Sequence, residues 1–423
     1  MSAYQTGFDV GLPTDNRGSK SGGCFRKSIS FAATAATLFS AIALALVVYV
    51  GFYMEDTSAS DPVTIRVGMA SPAPGYTSTR SLFAGTGSWT TKEPLPAATS
   101  DFLAVTVGDK IFMIGGQDTA GASTATVREY DPVIDAFNAT AKTAAQAGRM
   151  RYAAAVVGTK IYVLGGLAVD DGTPQLKTTW VYDTASDTWD YTGPNLIVGR
   201  SDFCAFVVGQ KIYAVGGYTT GYAALESVEV LDIGAATPAW ATAPALPDAR
   251  GDVTCAASGG KGYAIGGYHD PTDTFADNTA FKDTMYELDV AGGAAAWVAK
   301  SPMPTAVGDK AAAVLSDGSI LVIGGETHNR GVHTQVATHT SVHYYPKHDT
   351  WVTKAPIPTA RFRFAAATDA DGFVHAFGGH VHCFSDWSVS PPTTTCPADA
   401  LASHEVMMDV THPDLWIHSV AEL

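Results

Sequence analysis

The sequence predicts an all-β fold of six repeated units closed into a ring and preceded by one transmembrane α-helix. Three observations carry this. An apolar run ending in Gly-Gly recurs six times at near-constant spacing. One uncharged stretch near the N-terminus is long enough to cross a bilayer. The composition is that of a turn-rich protein with ample core: 46% of the 423 residues are apolar, 16% are charged and 42 are glycine. Such a chain is neither disordered, nor a coiled coil, nor collagen. A net charge of −15 excludes a general nucleic-acid binder.

The N-terminal segments come first. Residues 29–54 carry no formal charge and include the run Ala41-Ile-Ala-Leu-Ala-Leu-Val-Val-Tyr-Val50. That exceeds the ~20 residues needed to span a ~30 Å hydrocarbon layer, and it is longer than the ~7–15 residue apolar region of a cleaved signal peptide. Arg17, Lys20, Arg26 and Lys27 precede it, and Glu55 and Asp61 follow it. The positive-inside bias therefore keeps residues 1–28 cytoplasmic and sends the rest across. The expected arrangement is a signal anchor at 29–54, a Ser/Thr/Pro/Gly-rich stalk at 55–84 and a globular part at 85–423. This is a single-pass type II topology with an extracellular or luminal domain, compatible with plasma membrane or Golgi.

The repeat is the decisive element. Its Gly-Gly pairs are Gly115-Gly116, Gly165-Gly166, Gly216-Gly217, Gly266-Gly267, Gly324-Gly325 and Gly378-Gly379. The second glycines are 50, 51, 50, 58 and 54 residues apart. A Tyr-Asp or Leu-Asp pair follows most of them (Tyr130-Asp131, Tyr182-Asp183, Leu231-Asp232, Leu288-Asp289). Then comes an aromatic residue: Trp89, Phe137, Trp189, Trp240, Trp297, Trp351 and Trp416 are the seven candidates. This pattern resembles the kelch-repeat family from about Trp89 to the C-terminus. The resemblance implies a six-bladed kelch β-propeller, each repeat forming one four-stranded blade. Seven aromatics for six Gly-Gly strands imply that one terminal strand completes the last blade. Trp89 and Trp416 are both open for that role.

The lengths vary on one side only. From each aromatic to the next second glycine the distance is 27 to 29 residues, whereas from that glycine onward it ranges from 21 to 37. The insertions therefore fall in the loops between the second and third strands, on one face, and grow in blades four to six. That face is the expected binding surface. Arg149, Arg200, Arg250 and Arg361 recur in the leads, and Asp202 and Asp252 stand two residues after two of them, with Arg151, Asp101, Lys310 and Arg363 near the matching place. These residues are expected to line a channel mouth able to grip a carboxylate or acidic sugar. All twelve histidines follow residue 268. His328 and His333 are expected to shape the rim, with His269 and His339 beside them, and the pair His380 and His382 is a candidate Zn or Cu site.

Cys383 and Cys396 flank the longest insertion and are expected to form a disulfide. Cys204 and Cys255 are expected to be free core thiols, and Cys24 is a palmitoylation candidate. Asn138-Ala-Thr140 is a glycosylation sequon. No cofactor and no catalytic residue is called for. The expected function is non-catalytic recognition of a protein or glycan by the long-loop face, or service as a subunit of a larger membrane complex. The alternative is a sugar-active propeller enzyme, resembling either sialic-acid mutarotases through the arginines or copper-radical oxidases through Tyr268, His269, His380 and a cysteine. Glu405-x3-Asp409-x2-His412 resembles the iron motif of plant specifier proteins, one residue short in the last gap.

Overall fold

Each apolar run ending in Gly-Gly is the second strand of a four-stranded antiparallel sheet, and six such sheets follow one another around a channel. The structure, a computed structural model, describes residues 87–169, 174–269, 280–329, 334–386, 393–395 and 400–408. Strands are lettered A to D from the channel outward. Blade 1 comprises Leu103–Val107, Lys110–Ile114, Val127–Asp131 and Ala136–Phe137. In blades 2 to 6 strand A is Ala153–Val157, Cys204–Val208, Thr254–Ser258, Ala311–Val314 and Ala365–Thr368. These innermost strands crowd around one axis, which explains runs such as Ala153-Ala154-Ala155, Ala311-Ala312-Ala313 and Ala365-Ala366-Ala367.

The ring closes with the N-terminal strand. Ser88–Thr91 is strand D of blade 6 and pairs antiparallel with strand C, His404–Met408, placing Trp89 opposite Met407. Trp89 thus fills the role left open above; Trp416 lies outside the described residues. Closure mixes the two ends of the chain in one sheet and gives blade 6 four strands like the others.

Packing is between blades. The six large hydrophobic clusters each straddle one junction: Met113 and Tyr130 of blade 1 pack with Phe377 of blade 6, and Tyr263 of blade 4 with Tyr344 of blade 5. Five tryptophans, four in strand D and Trp297 just before it, staple these junctions. The indole N–H of Trp89, Trp189, Trp240, Trp297 and Trp351 donates to a carbonyl just after strand D of the preceding blade, at 2.8–3.0 Å. In blade 1 the aromatic is Phe137 and the staple is absent.

The Gly-Gly pair is the backbone half of the same joint. Gly324 and Gly325 have φ of 60° and 102°, and a Cβ on Gly324 would lie 2.5 Å from the carbonyl oxygen of Arg361 in the next blade. That close approach lets the Gly325 N–H donate to the Arg361 carbonyl at 2.9 Å, and four other blades repeat the bond. Only glycine meets both demands.

The B–C connections add structure on one face. Tyr218–Thr219 and Ala223–Ala224 form a small hairpin in blade 3. Glu326–Asn329 and Thr334–Ala337 from blade 5 join His382–Asp386 and Thr393–Thr395 from blade 6 in a seventh, four-stranded sheet. Among the described residues no helix is long and apolar enough to cross a membrane. The expected tail, anchor and stalk at 1–84 lie outside the described residues.

Candidate functional site

The chain enters each innermost strand through one residue in the left-handed region: Asp101, Arg151, Asp202, Asp252, Asp309 and Arg363, with φ between 45° and 55°. Left-handed backbone costs a non-glycine residue about 1–2 kcal/mol, so six recurrences need a compensating bond. It is a ring of backbone hydrogen bonds. The N–H of Asp101, Arg151, Asp202 and Asp252 donates to the carbonyl of the corresponding residue one blade back, and Arg363 donates to Asp309, at 2.9–3.1 Å. The six side chains therefore gather at one end of the channel.

A second ring stands beside the first. The residue after each Gly-Gly bridges the residue before each ring position: Gln117, Leu167, Tyr218, Tyr268, Glu326 and His380. All six are buried. They lie under the long B–C loops, and Tyr218, Tyr268, Ala280 and Phe281 make a small apolar cluster of their own there.

The rings are rich in charge. Arg151 Nε lies 3.1 Å from Asp101 Oδ1 and 3.8 Å from Asp202, and Arg363 Nε lies 2.8 Å from Asp309 Oδ2. Burial alone would raise the Asp101 carboxyl. The nearby His380 and the charges of Arg151 and Arg363 outweigh it and hold Asp101 well below the usual carboxylate range. The other acids go the opposite way. Burial pushes Asp202 up to about 6, with Arg151 opposing and Asp309 adding to the rise. Burial, then the charges of Asp309 and Asp202, push Asp252 well up; burial and Asp309 do the same to Glu326. Lys310 falls to about 7, through burial and the nearby Arg250. Ligand oxygens of Asp202, Asp252 and Asp309 lie within 4.8 Å of one another. Behind them a cavity of about 210 Å³ runs along the innermost strands.

The predicted anion-binding arginines are elsewhere. Arg149, Arg200, Arg250 and Arg361 are at most 2% exposed. Arg200 donates to Gly216 O at 2.8 Å, Ser227 O at 3.0 Å and Glu229 at 2.6 Å. Arg250 spans Gly266 O, Thr284 and Asp248, and Arg361 spans Gly378 O, Ser403 and Glu405. Arg149 stacks 3.5 Å over the Trp180 ring and bonds to Thr178. Arg200, Arg250 and Arg361 each tie the end of strand B to the start of strand C in their own blade, and Arg149 holds the start of strand C, so the expectation of anion contacts is corrected: these guanidinium groups face the blade interior. Glu405, taken with Asp409 and His412 as an iron motif, is the partner of Arg361; the other two lie outside the described residues.

Asp202 and Asp252 do reach the mouth. Asp309 was missed in favour of its neighbour Lys310, for a countable reason. The ring residue is fifteen positions before the second glycine in blades 1 to 4 but sixteen in blades 5 and 6. There the A–B turn is longer, running through Asp317-Gly318 and Asp371-Gly372. Glu326 was missed because a single acid after Gly-Gly carries no motif.

His380 is 3% exposed and its Nε2 stands 3.7 Å from Asp101 Oδ2. His339 bonds the Ile357 carbonyl at 2.7 Å. The side chains of His328 and His382, His333 itself, and Cys396 with the Cys383 side chain lie outside the described residues. Asn138 is exposed.

The cysteine expectation is overturned. Cys204 and Cys255 are joined by a disulfide across the innermost strands of blades 3 and 4, with Cα atoms 5.4 Å apart. They lie 51 residues apart, one blade period, which places them side by side. Neither thiol remains to crosslink a tyrosine, so the copper-radical resemblance loses its cysteine.

The model of the Attractin/LZTR1 β-propeller matches residues 111–385, which run from strand B of blade 1 into the seventh sheet. The chain belongs to the Attractin/LZTR1 β-propeller family. Its similarity to kelch proteins agrees. It is 30% identical over 254 residues to Kelch-like protein terF of Aspergillus terreus, covering 57% of this chain and 52% of that protein. It is 27% identical over 197 residues to Kelch-like protein 36 of Bos taurus, covering 45% and 29%. The Attractin/LZTR1-type chain thus spans about half or less of the length of these relatives. The solved structure of YjhT superposes with a TM-score of 0.58 at 15% identity, over 72% of this chain and 99% of that one, which supports the fold alone. Kelch propellers are typically protein-binding scaffolds.

Proposed function

We propose that this propeller is a non-catalytic recognition module whose B–C loop face binds a protein or glycan partner. The observation that carries this is the seventh sheet. Insertions from two blades pair with each other on one face, which builds a four-stranded platform where the other blades have at most a two-stranded hairpin among the described residues. Presentation outside the cytoplasm, through the anchor at 29–54, is part of the same proposal. It is supported by the basic flank before that segment and by the Cys204–Cys255 disulfide, a bond favoured in oxidising compartments. Asn138, exposed at the end of blade 1, would carry a glycan there, and the proposed disulfide of Cys383 and Cys396 would form in the same compartment.

The test is to replace residues 328–335 by Asn-Gly, which keeps Thr327 opposite Val336 and closes the hairpin with a two-residue turn. Labelled residues 85–423 are then applied to intact cells, with protease and glycosidase pretreatment separating protein from glycan partners. The expected outcome is at least a tenfold loss of cell binding with the melting temperature unchanged. Equal binding by the shortened variant removes the proposal, as does turnover of a sugar substrate by the wild-type propeller.

A further inference from the structure

We propose that Asp202, Asp252 and Asp309 bind one hard divalent cation of the calcium type at the channel mouth, with the Glu326 carboxyl beside them. Three neighbouring blades each deliver one carboxylate, and their ligand oxygens lie within 4.8 Å of one another. Two oxygens on opposite sides of an ion, each at about 2.4 Å, have that separation. The donor set is all oxygen and anionic, which suits calcium and neither zinc nor copper.

A second observation comes from outside the trio. Glu326 is 2% exposed, and its Oε2 has no hydrogen-bond partner. Its backbone is bridged to Gly308, next to Asp309, in both directions at 2.9 and 3.1 Å, and among the charges around its carboxyl Asp309 acts most strongly. A buried carboxylate oxygen lacking any donor, on a group whose charge acts on Asp252 and feels that of Asp309, has no reason to persist in a satisfied core. Asp202 Oδ2 also lacks a partner, on a side chain 6% exposed.

The surrounding cations do not neutralise the group. Five carboxyls (Asp101, Asp202, Asp252, Asp309 and Glu326) face two ring guanidinium groups. Arg151 sits closest to Asp101, and Arg363 bonds Asp309 through only one of its oxygens. Lys310 Nζ lies at Gly266 and makes no hydrogen bond. Asp252 Oδ2 accepts from Tyr218 at 3.0 Å, a neutral donor. The cavity of about 210 Å³ touches all three aspartates and offers an ion a route in.

The experiment uses the full-length chain in detergent, stripped with EDTA and titrated with Tb³⁺, then with CaCl₂ or MgCl₂. One equivalent of Tb³⁺ should luminesce on tyrosine excitation, because Tyr218 touches Asp252. Calcium should displace it at least tenfold more readily than magnesium. Asp252→Asn and Asp309→Asn should each weaken calcium binding at least tenfold, while Asn138→Gln, at the exposed outer end of blade 1, leaves it within twofold. In EDTA Asp252→Asn should melt no lower than wild type, since an amide removes the repulsion, and in calcium the order should reverse; Asp309→Asn also gives up its pair with Arg363 and should melt lower in both. Should either variant fail to fold, the wild-type competition decides alone. Tb³⁺ that calcium does not displace, equal displacement by magnesium, or unchanged calcium affinity in Asp252→Asn overturns the assignment.

Discussion

The blade joints and the channel mouth are made from the same leads, two residues apart, yet they follow different rules. At a joint the side chain is repeated because the backbone needs it. Arg200, Arg250 and Arg361 each turn Nη1 onto the first-glycine carbonyl of their own blade at 2.8 Å. At the mouth only the backbone is repeated. Six left-handed residues hold one another through N–H and carbonyl groups, so their side chains are free to differ, and they do: Asp, Arg, Asp, Asp, Asp, Arg. Packing stops selecting there, and acids with raised pKa values and orphan oxygens collect. Each orphaned buried group costs about 1–3 kcal/mol unless something else engages it. Such a concentration of cost in one ring supports the proposal that the mouth holds a ligand.

Removing one arginine from each region separates the joint from the mouth most strongly. Arg200→Met strands Glu229, itself 2% exposed, without its cation and should cost about 3–5 kcal/mol in urea unfolding. Arg151→Met should cost roughly half as much, since Asp101 keeps Arg363 at 3.8 Å and His380 at 3.7 Å. Equal costs would erase the distinction between joint and mouth.

The seam between blades 6 and 1 offers a pH test of intermediate size. Burial, then the neighbouring His375, pull His404 down to about 3 from its ordinary 6.5. It stays neutral in the folded chain while the unfolded chain takes up a proton below pH 6.5. Stability from this group is therefore complete above pH 6.5 and is lost as pH falls toward 3, at up to about 1.4 kcal/mol per pH unit. His404→Asn should flatten that acid arm in a pH series of melting temperatures; an arm unchanged in slope would show that other groups control it.

The smallest expected effect concerns the indole staples. Trp351→Phe removes the bond to Ser301 O at 2.8 Å and reproduces what blade 1 already has at Phe137. A loss of about 0.5–1.5 kcal/mol is expected from a denaturant midpoint. A loss above 3 kcal/mol would mean the aromatic acts through its packing and not through its N–H.

Much of the propeller was legible because its energetics are local and repeated. The Gly-Gly pairs announced both strand ends and blade junctions, since only glycine fits a positive φ against a neighbouring carbonyl. The aromatic spacing located the outer strands for the same reason. The site was legible in part. Asp202 and Asp252 were read from their register behind the lead arginines, while Asp309 escaped because a longer A–B turn shifts that register by one residue. The arginines mislead: a recurring charged residue in a lead looks like a binding group until burial shows that it ties two strands together.

By itself the sequence determined the number of blades, the strand order within each and the face on which the insertions fall, because those follow from period and loop length along the chain. It also determined the kelch family through the Gly-Gly and aromatic pattern. Tertiary structure alone decided which terminus closes the ring, that Cys204 meets Cys255, that two insertions make one sheet, and that carboxylates from three blades share one space. Each of these is a contact between segments one or more blade periods apart. Their distance is set by how the blades pack around the axis, and no local pattern of residues encodes it.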